Sequence, residues 1–311
     1  MKFLLSVSIV LFSHVLFAQS AKENYEYAKE AIKNDDYKSA LKYIEKTLSN
    51  DSSDPEYFRI KGQVQYKLKK YKEAYNTYNR GIILFPKDAS LFNSRGNLRT
   101  AFQEYHSAIK DFTKAAKYAI NDTMKYGYIT NRATAYYSLR AFDEAYEDLM
   151  QSYNFDSTNI ATLTNLGIVT DNVGRGDETL KYLLKSVEID STFYGAYANI
   201  GFKYQNMGEY EKSNIYYNKV LAANPNEPLG YSNRSYNKLK LGDLKGAMKD
   251  INKSIKLYPG NSYAYRNRAL IYIEMKKIDK ACEDLKAATQ KGFGTTYGSE
   301  VKKLRKEYCG F

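Results

Sequence analysis

The chain has 311 residues, of which 26% are charged and 43% hydrophobic, with a formal charge of +12; that is enough apolar material for a packed core and too much for a disordered chain. The positive balance permits an acidic partner without requiring one. With two histidines, two cysteines and no tryptophan in the whole sequence, histidine-based triads and most zinc sites have almost no material to be built from.

In chain order, residues 1–18 read as a secretory signal: Lys2, the apolar run FLLSVSIVLFSHVLF that contains His14, and the small residue Ala18 before the expected cut. The run is shorter than the roughly 18 apolar residues that span a bilayer, and no cysteine follows it to carry a lipid. These features predict export, to the periplasm or beyond, with no membrane span in the mature chain.

From residue 21 to 295 the sequence repeats. Small residues recur at Ala28, Gly62, Gly96, Ala133, Gly167, Gly201, Ser235 and Ala269, in steps of 34 residues except for one step of 37. Twelve residues after each comes a second, mostly small residue (Ala40, Ala74, Ala108, Ala145, Thr179, Ser213, Ala247, Ala281), and four further on a large apolar or aromatic one. Each unit is numbered so that its first small residue is position 8. Positions 4, 8 and 11 then share one helix face, and the small residues allow a second helix to approach closely. Gly followed by an acidic residue, as in LGD at 241–243, marks the turn between helices, and the prolines mark unit borders. One unit cannot bury its own apolar face, so the eight must stack, with residues 296–311 as a capping helix that turns Val301 and Leu304 inward. The three extra residues fall near INDTMKYG, which divides the run into repeats one to three (21–122) and four to eight (123–295) and predicts a wider joint there.

This pattern resembles the tetratricopeptide repeat family, with Phe58, Phe92, Tyr197, Tyr231 and Tyr265 at position 4 and Pro86, Pro225 and Pro259 at position 32. Repeat one departs from it with Asn24 at position 4, and repeat five with the bulkier Thr179 at position 20. The resemblance implies an all-α, right-handed α-solenoid superhelix of eight helix–turn–helix repeats. It also implies a scaffold that binds a peptide or a partner protein in its inner groove.

Three sets of residues are candidates for structure or binding. Position 7 is Arg in repeats three, four, seven and eight, and only there is position 23 Asp: the pairs Arg95 and Asp111, Arg132 and Asp148, Arg234 and Asp250, Arg268 and Asp284 are expected to be structural ion pairs. Cys282 and Cys309 are expected to form a disulfide that staples the cap to repeat eight, since antiparallel helices bring them level and export permits pairing. Asn131, Asn165, Asn199, Asn233 and Asn267 hold position 6 in five successive repeats, on the side away from each unit's own second helix. Asn is a poor helix former, and its amide both donates and accepts. The row is similar to the asparagine ladder inside the repeats of O-linked N-acetylglucosamine transferase, and predicts a peptide-binding groove with apolar neighbours such as Phe202 and Tyr236.

No catalytic residue, cofactor or metal ligand is expected: His106 stands alone in repeat three, and no phosphate-binding glycine motif occurs. An enzyme is therefore not expected. A glycan-binding or envelope-associated structural role, or self-association through the end repeats, is the alternative to the groove. Nucleic acid is disfavoured by export and by the reading that no basic stripe follows the repeat period.

Overall fold

The computed structural model describes residues 20–310, so the expected signal at 1–18 lies outside the described residues. These residues are helical with no strand among them, and the helices follow one another as helix–turn–helix pairs. Two compact units divide the chain after Ser157.

The first unit holds repeats one to four, as the pairs α1 (20–33) and α2 (Tyr37–Asn50), α3 (Pro55–Lys67) and α4 (Tyr71–Leu84), α5 (Ala89–Ala101) and α6 (Tyr105–Tyr118), and α7 (Asp122–Ser138) and α8 (Phe142–Phe155). The first helices of repeats two to four start at side-chain caps, as where the Leu91 N–H donates to Asp88 at 2.8 Å and the Met124 N–H to Asn121 at 2.9 Å. The three extra residues lengthen α7 to 17 residues, against 13 in α5, so they add a turn of helix. The core is a string of local clusters. Phe58, Ala74, Tyr78, Leu91 and Leu98 form one of them, and each cluster joins a repeat to the next.

The second unit holds repeats five to eight and the cap. Repeat five pairs α9 (Ile160–Val169) with α10 (Thr179–Ile189), repeat six α11 (Tyr194–Asn206) with α12 (Tyr210–Ala223), repeat seven α13 (Pro228–Lys240) with α14 (Leu244–Leu257), and repeat eight α15 (Ser262–Glu274) with α16 (Ile278–Gln290). A short α17 (Phe293–Tyr297) and α18 (Glu300–Cys309) close it. Repeat five is irregular where its sequence departs from the others. Its first helix runs out in a 3₁₀ turn (Thr170–Val173), and the buried Thr179 hydroxyl is spent on Thr170 at 2.9 Å.

The small residue at position 8 has a specific cause. A Cβ built on Gly62 would lie 2.3 Å from the Tyr78 ring, and one on Gly96 2.7 Å from Phe112. Glycine makes room for the side chain at position 24 of its own repeat, an aromatic in repeats two, three and six and Leu183 in repeat five, where a Cβ on Gly167 would lie 2.4 Å from it; repeats that carry Ile44, Leu149 or Leu285 there take Ala28, Ala133 and Ala269.

Candidate interaction surface

The side of each first helix that faces away from its own second helix carries positions 6 and 9. In the second unit position 9 reads Ile168, Phe202, Tyr236 and Leu270, whereas in the first it reads Lys29, Gln63, Asn97 and Thr134. Phe202 is 50% exposed, and Leu229 beside this row at position 2 of repeat seven is 52% exposed. Tyr236 is half-buried with its ring edge-on to Tyr210. Asn165, Asn199 and Asn233 are half-buried along the same helices. The Asn233 amide lies beside the buried Tyr217 hydroxyl, whose pKa is raised by burial and only partly lowered by that amide.

Two rungs of the expected ladder have other work. Asn267 is fully buried: its amide N–H donates to the Ser232 carbonyl and hydroxyl, both at 3.2 Å, and its oxygen accepts from Arg266 at 2.7 Å. It is therefore not a groove residue, because burial and saturated hydrogen bonding leave it nothing to offer a ligand. Asn131 donates to Asn93 at 2.9 Å. In both cases position 6 reaches back to position 5 of the preceding repeat. Asn93 and Ser232 are the polar partners there; position 5 of the preceding repeat is also polar before Asn165 and Asn199, as Thr130 and Thr164, while Ala198, before Asn233, has no side-chain acceptor.

In the first unit the same face holds a cleft of ≈ 380 Å³ between repeats two and three, lined by Arg59, Gln63, Tyr66, Lys67, Asn93 and Asn97 among others. Arg59 is tied to Glu56 one turn earlier on α3, and the hydrogen bond to that carboxylate raises the pKa of the guanidinium. The amides of this cleft sit at positions 5 and 9, outside the position-6 row.

Each Arg of the four charge-bearing repeats forms two parallel hydrogen bonds to its Asp. Nε and Nη2 of Arg95 donate to Asp111 at 2.9 and 2.7 Å, and those of Arg132, Arg234 and Arg268 to their partners at 2.7 and 2.8 Å. All four carboxylates are buried. Burial pushes the Asp250 carboxyl up, but hydrogen bonds from Arg234 and Lys238 outweigh it and hold the pKa below the ordinary value. The remaining Nη1 reaches position 25 of the preceding repeat: Asn79 for Arg95, Thr113 for Arg132, Asn218 for Arg234 and Asn252 for Arg268. This second partner is readable in the sequence one repeat back. Ile200 of repeat six has an apolar residue there, Leu184, which packs against its cluster. Lys61 of repeat two has Glu45, at 3.1 Å.

Cys282 and Cys309 are disulfide-bonded, joining α16 to α18. Arg266 is held between the rings of Tyr236 and Tyr263, its guanidinium carbon 5.2 and 5.3 Å from their centroids, and pairs with Glu300 of the cap. The cap therefore covers the last step of the position-5 row.

A basic stripe at the repeat period is also present, contrary to the sequence reading. Position 26 is Lys46, Arg80 and Lys114 in the first unit and Lys185, Lys219 and Lys253 in the second, in 34-residue steps. It lies on the second helices and is interrupted by Gln151 in repeat four.

Two models of the tetratricopeptide repeat family match the sequence, one at residues 194–227 and 230–261 and the other at 251–283. The family described as anaphase-promoting complex, cyclosome, subunit 3 matches residues 3–81. No curated protein matches the sequence. Among solved structures, the PilF protein of Pseudomonas aeruginosa superposes with a TM-score of 0.59 at 15% identity, over 69% of this chain and 96% of that one. A tetratricopeptide repeat protein of Parabacteroides merdae gives 0.49 at 18% identity, over 92% and 98%. YrrB, described as a tetratricopeptide protein with an unusual peptide-binding site, gives 0.46 at 18% identity, over 60% and 95%. At 15% identity the likeness to PilF speaks for the helical-repeat fold alone.

Proposed function

We propose that this chain, which is built of tetratricopeptide repeats, is an exported, non-catalytic scaffold that holds an extended segment of a partner protein on the first-helix face of its second unit. The observation that carries the reading is the change at position 9. A row of Ile168, Phe202, Tyr236 and Leu270 runs beside the half-buried amides of Asn165, Asn199 and Asn233. An extended peptide offers backbone donors and acceptors to the amides and alternate side chains to the apolar row, and the large rings supply contact area at low entropic cost. Asn267 and Asn131 serve the stacking of repeats in this reading and not the ligand. Export accords with the Cys282–Cys309 bond, which persists in oxidising compartments.

The test is photo-crosslinking from a benzophenone amino acid at position 202 in cells, followed by affinity measurement on the crosslinked partner. Replacing Asn165, Asn199 and Asn233 together by Ala is expected to leave the Tm equal or higher, since Ala is the better helix former, and to weaken capture by about tenfold or more. Unchanged capture by that folded variant, together with unchanged capture by Phe202→Asp, removes this face as the binding site.

A further inference from the structure

The second helices of the first unit present a surface of different chemistry. Position 26 carries Lys46 on α2, Arg80 on α4 and Lys114 on α6, all exposed. On α2 and α6 the cations continue along the same helix stripe, with Lys42 one turn earlier on α2 and Lys110 and Lys117 flanking Lys114 on α6. Part of the repeat has a packing cause, because the Arg80 guanidinium stands 5.9 Å from the centroid of the Phe58 ring and the Lys114 ammonium 5.1 Å from that of Phe92. Packing explains the stems, but not the accumulation of charge around them. Nor does it explain the two most exposed large hydrophobic side chains among the described residues. Ile83 is 79% exposed, on α4 three residues beyond Arg80, and Ile120 is 84% exposed, three residues beyond Lys117. Leu84, next to Ile83, is 49% exposed. The patch has a boundary within the unit, since α8 carries Asp143, Glu144 and Glu147 and no lysine or arginine.

Cations alone suit any polyanion. Cations beside bare isoleucines suit a surface with negative headgroups over an apolar interior, where the ammonium and guanidinium groups meet the headgroups and the isoleucines enter the acyl boundary. From this juxtaposition we infer that the second-helix face of repeats one to three is a peripheral docking surface for an anionic lipid bilayer. These repeats then lie on the membrane by this face while their own first-helix faces stay open. No described helix is long and apolar enough to cross a membrane, so the contact is interfacial. The inference does not rest on the peptide-binding reading, which concerns the other unit.

The experiment is co-sedimentation of the purified chain, beginning at Gln19, with vesicles of phosphatidylcholine alone or mixed with phosphatidylglycerol, across a salt series. Binding is expected with the anionic vesicles only, and is expected to fall as salt rises. The triple reversal Lys46→Glu, Arg80→Glu, Lys114→Glu should weaken it by roughly tenfold or more. A control triple reversal at the exposed Lys240, Lys276 and Lys277 should weaken it far less. The double variant Ile83→Ser, Ile120→Ser keeps every charge and should weaken vesicle binding several-fold while leaving binding to heparin or single-stranded DNA unchanged. No binding to anionic vesicles, or equal loss from the two triple reversals, overturns the inference. Undiminished vesicle binding by the isoleucine variant also overturns it, and identifies the face as a general polyanion surface. Circular dichroism on each variant ensures that the comparison is between folded proteins.

Discussion

Repeats six and seven solve one packing problem in two ways. In repeat seven the slot between positions 7 and 23 holds Arg234 and Asp250, locked by two parallel hydrogen bonds with a third reaching Asn218 of the repeat before. Repeat six puts Ile200 and Tyr216 in the same places, with Leu184 as the preceding neighbour. The helices of both repeats have nearly the same lengths, so the ion pair is not needed to make the fold. What differs is what each slot will accept from its neighbour. A buried pair gains little over a well-packed apolar one, because desolvation offsets its Coulombic attraction, but either half alone is badly placed.

The comparison breaks most sharply when a charge is placed in the apolar slot. Ile200→Arg puts a guanidinium at a fully buried position with no carboxylate, and is expected to cost about 5 kcal/mol in urea unfolding. Adding Tyr216→Asp and Leu184→Asn should recover most of that loss. Removing one half of the existing clamp by Asp250→Ala strands Arg234 and Lys238 and should cost about 3–5 kcal/mol. Converting repeat seven to the chemistry of repeat six, by Arg234→Ile with Asp250→Tyr, should change stability by only about 1 kcal/mol in either direction; a loss as large as that of Asp250→Ala means the two slots are not equivalent. Asn218→Ala, which removes only the link to the next repeat, should cost about 1 kcal/mol, because Arg234 keeps its carboxylate.

The smallest effect is in the pH dependence. The folded-state pKa of Asp250 lies below its ordinary value, so its contribution is present above the unfolded pKa of about 3.9 and is lost as pH falls through the folded value. The Arg234→Ile, Asp250→Tyr variant lacks this contribution. Its stability relative to the native sequence should therefore improve between about pH 4 and pH 2, read from urea midpoints at each pH.

Much of this was legible in the sequence, because the constraint lies within one repeat. The small residue at position 8 and the large one at position 24 meet within one helix hairpin, as do Arg at 7 and Asp at 23, so each pair appears at a fixed short offset. What escaped involves a neighbouring repeat or the other helix layer. Asn267 and Asn131 look like rungs of a ladder until it is seen that position 6 faces position 5 one repeat earlier, where Ser232 and Asn93 wait. The basic row on the second helices was concealed because Arg80 replaces lysine in it and Gln151 interrupts it in repeat four. The large exposure of Ile83 and Ile120 belongs to the ends of helices, where hydrophobic periodicity carries no information.

The reach of each Arg into the repeat before it also decides which repeats are interchangeable. Excising residues 228–261, all of repeat seven, would bring Asn218 in front of Arg268, which already takes an asparagine from its present neighbour. Excising residues 194–227, all of repeat six, would instead bring Leu184 in front of Arg234 and leave a guanidinium donor facing a methyl group. The two deletions remove the same number of residues and the same number of helices. Arg234 keeps Asp250 in either case, so both chains should fold, the second less stable by about the 1 kcal/mol of the lost link. A lineage that grows or shrinks by whole repeats thus meets only a small step where members of the two types come to lie side by side, because each arginine carries its own carboxylate with it.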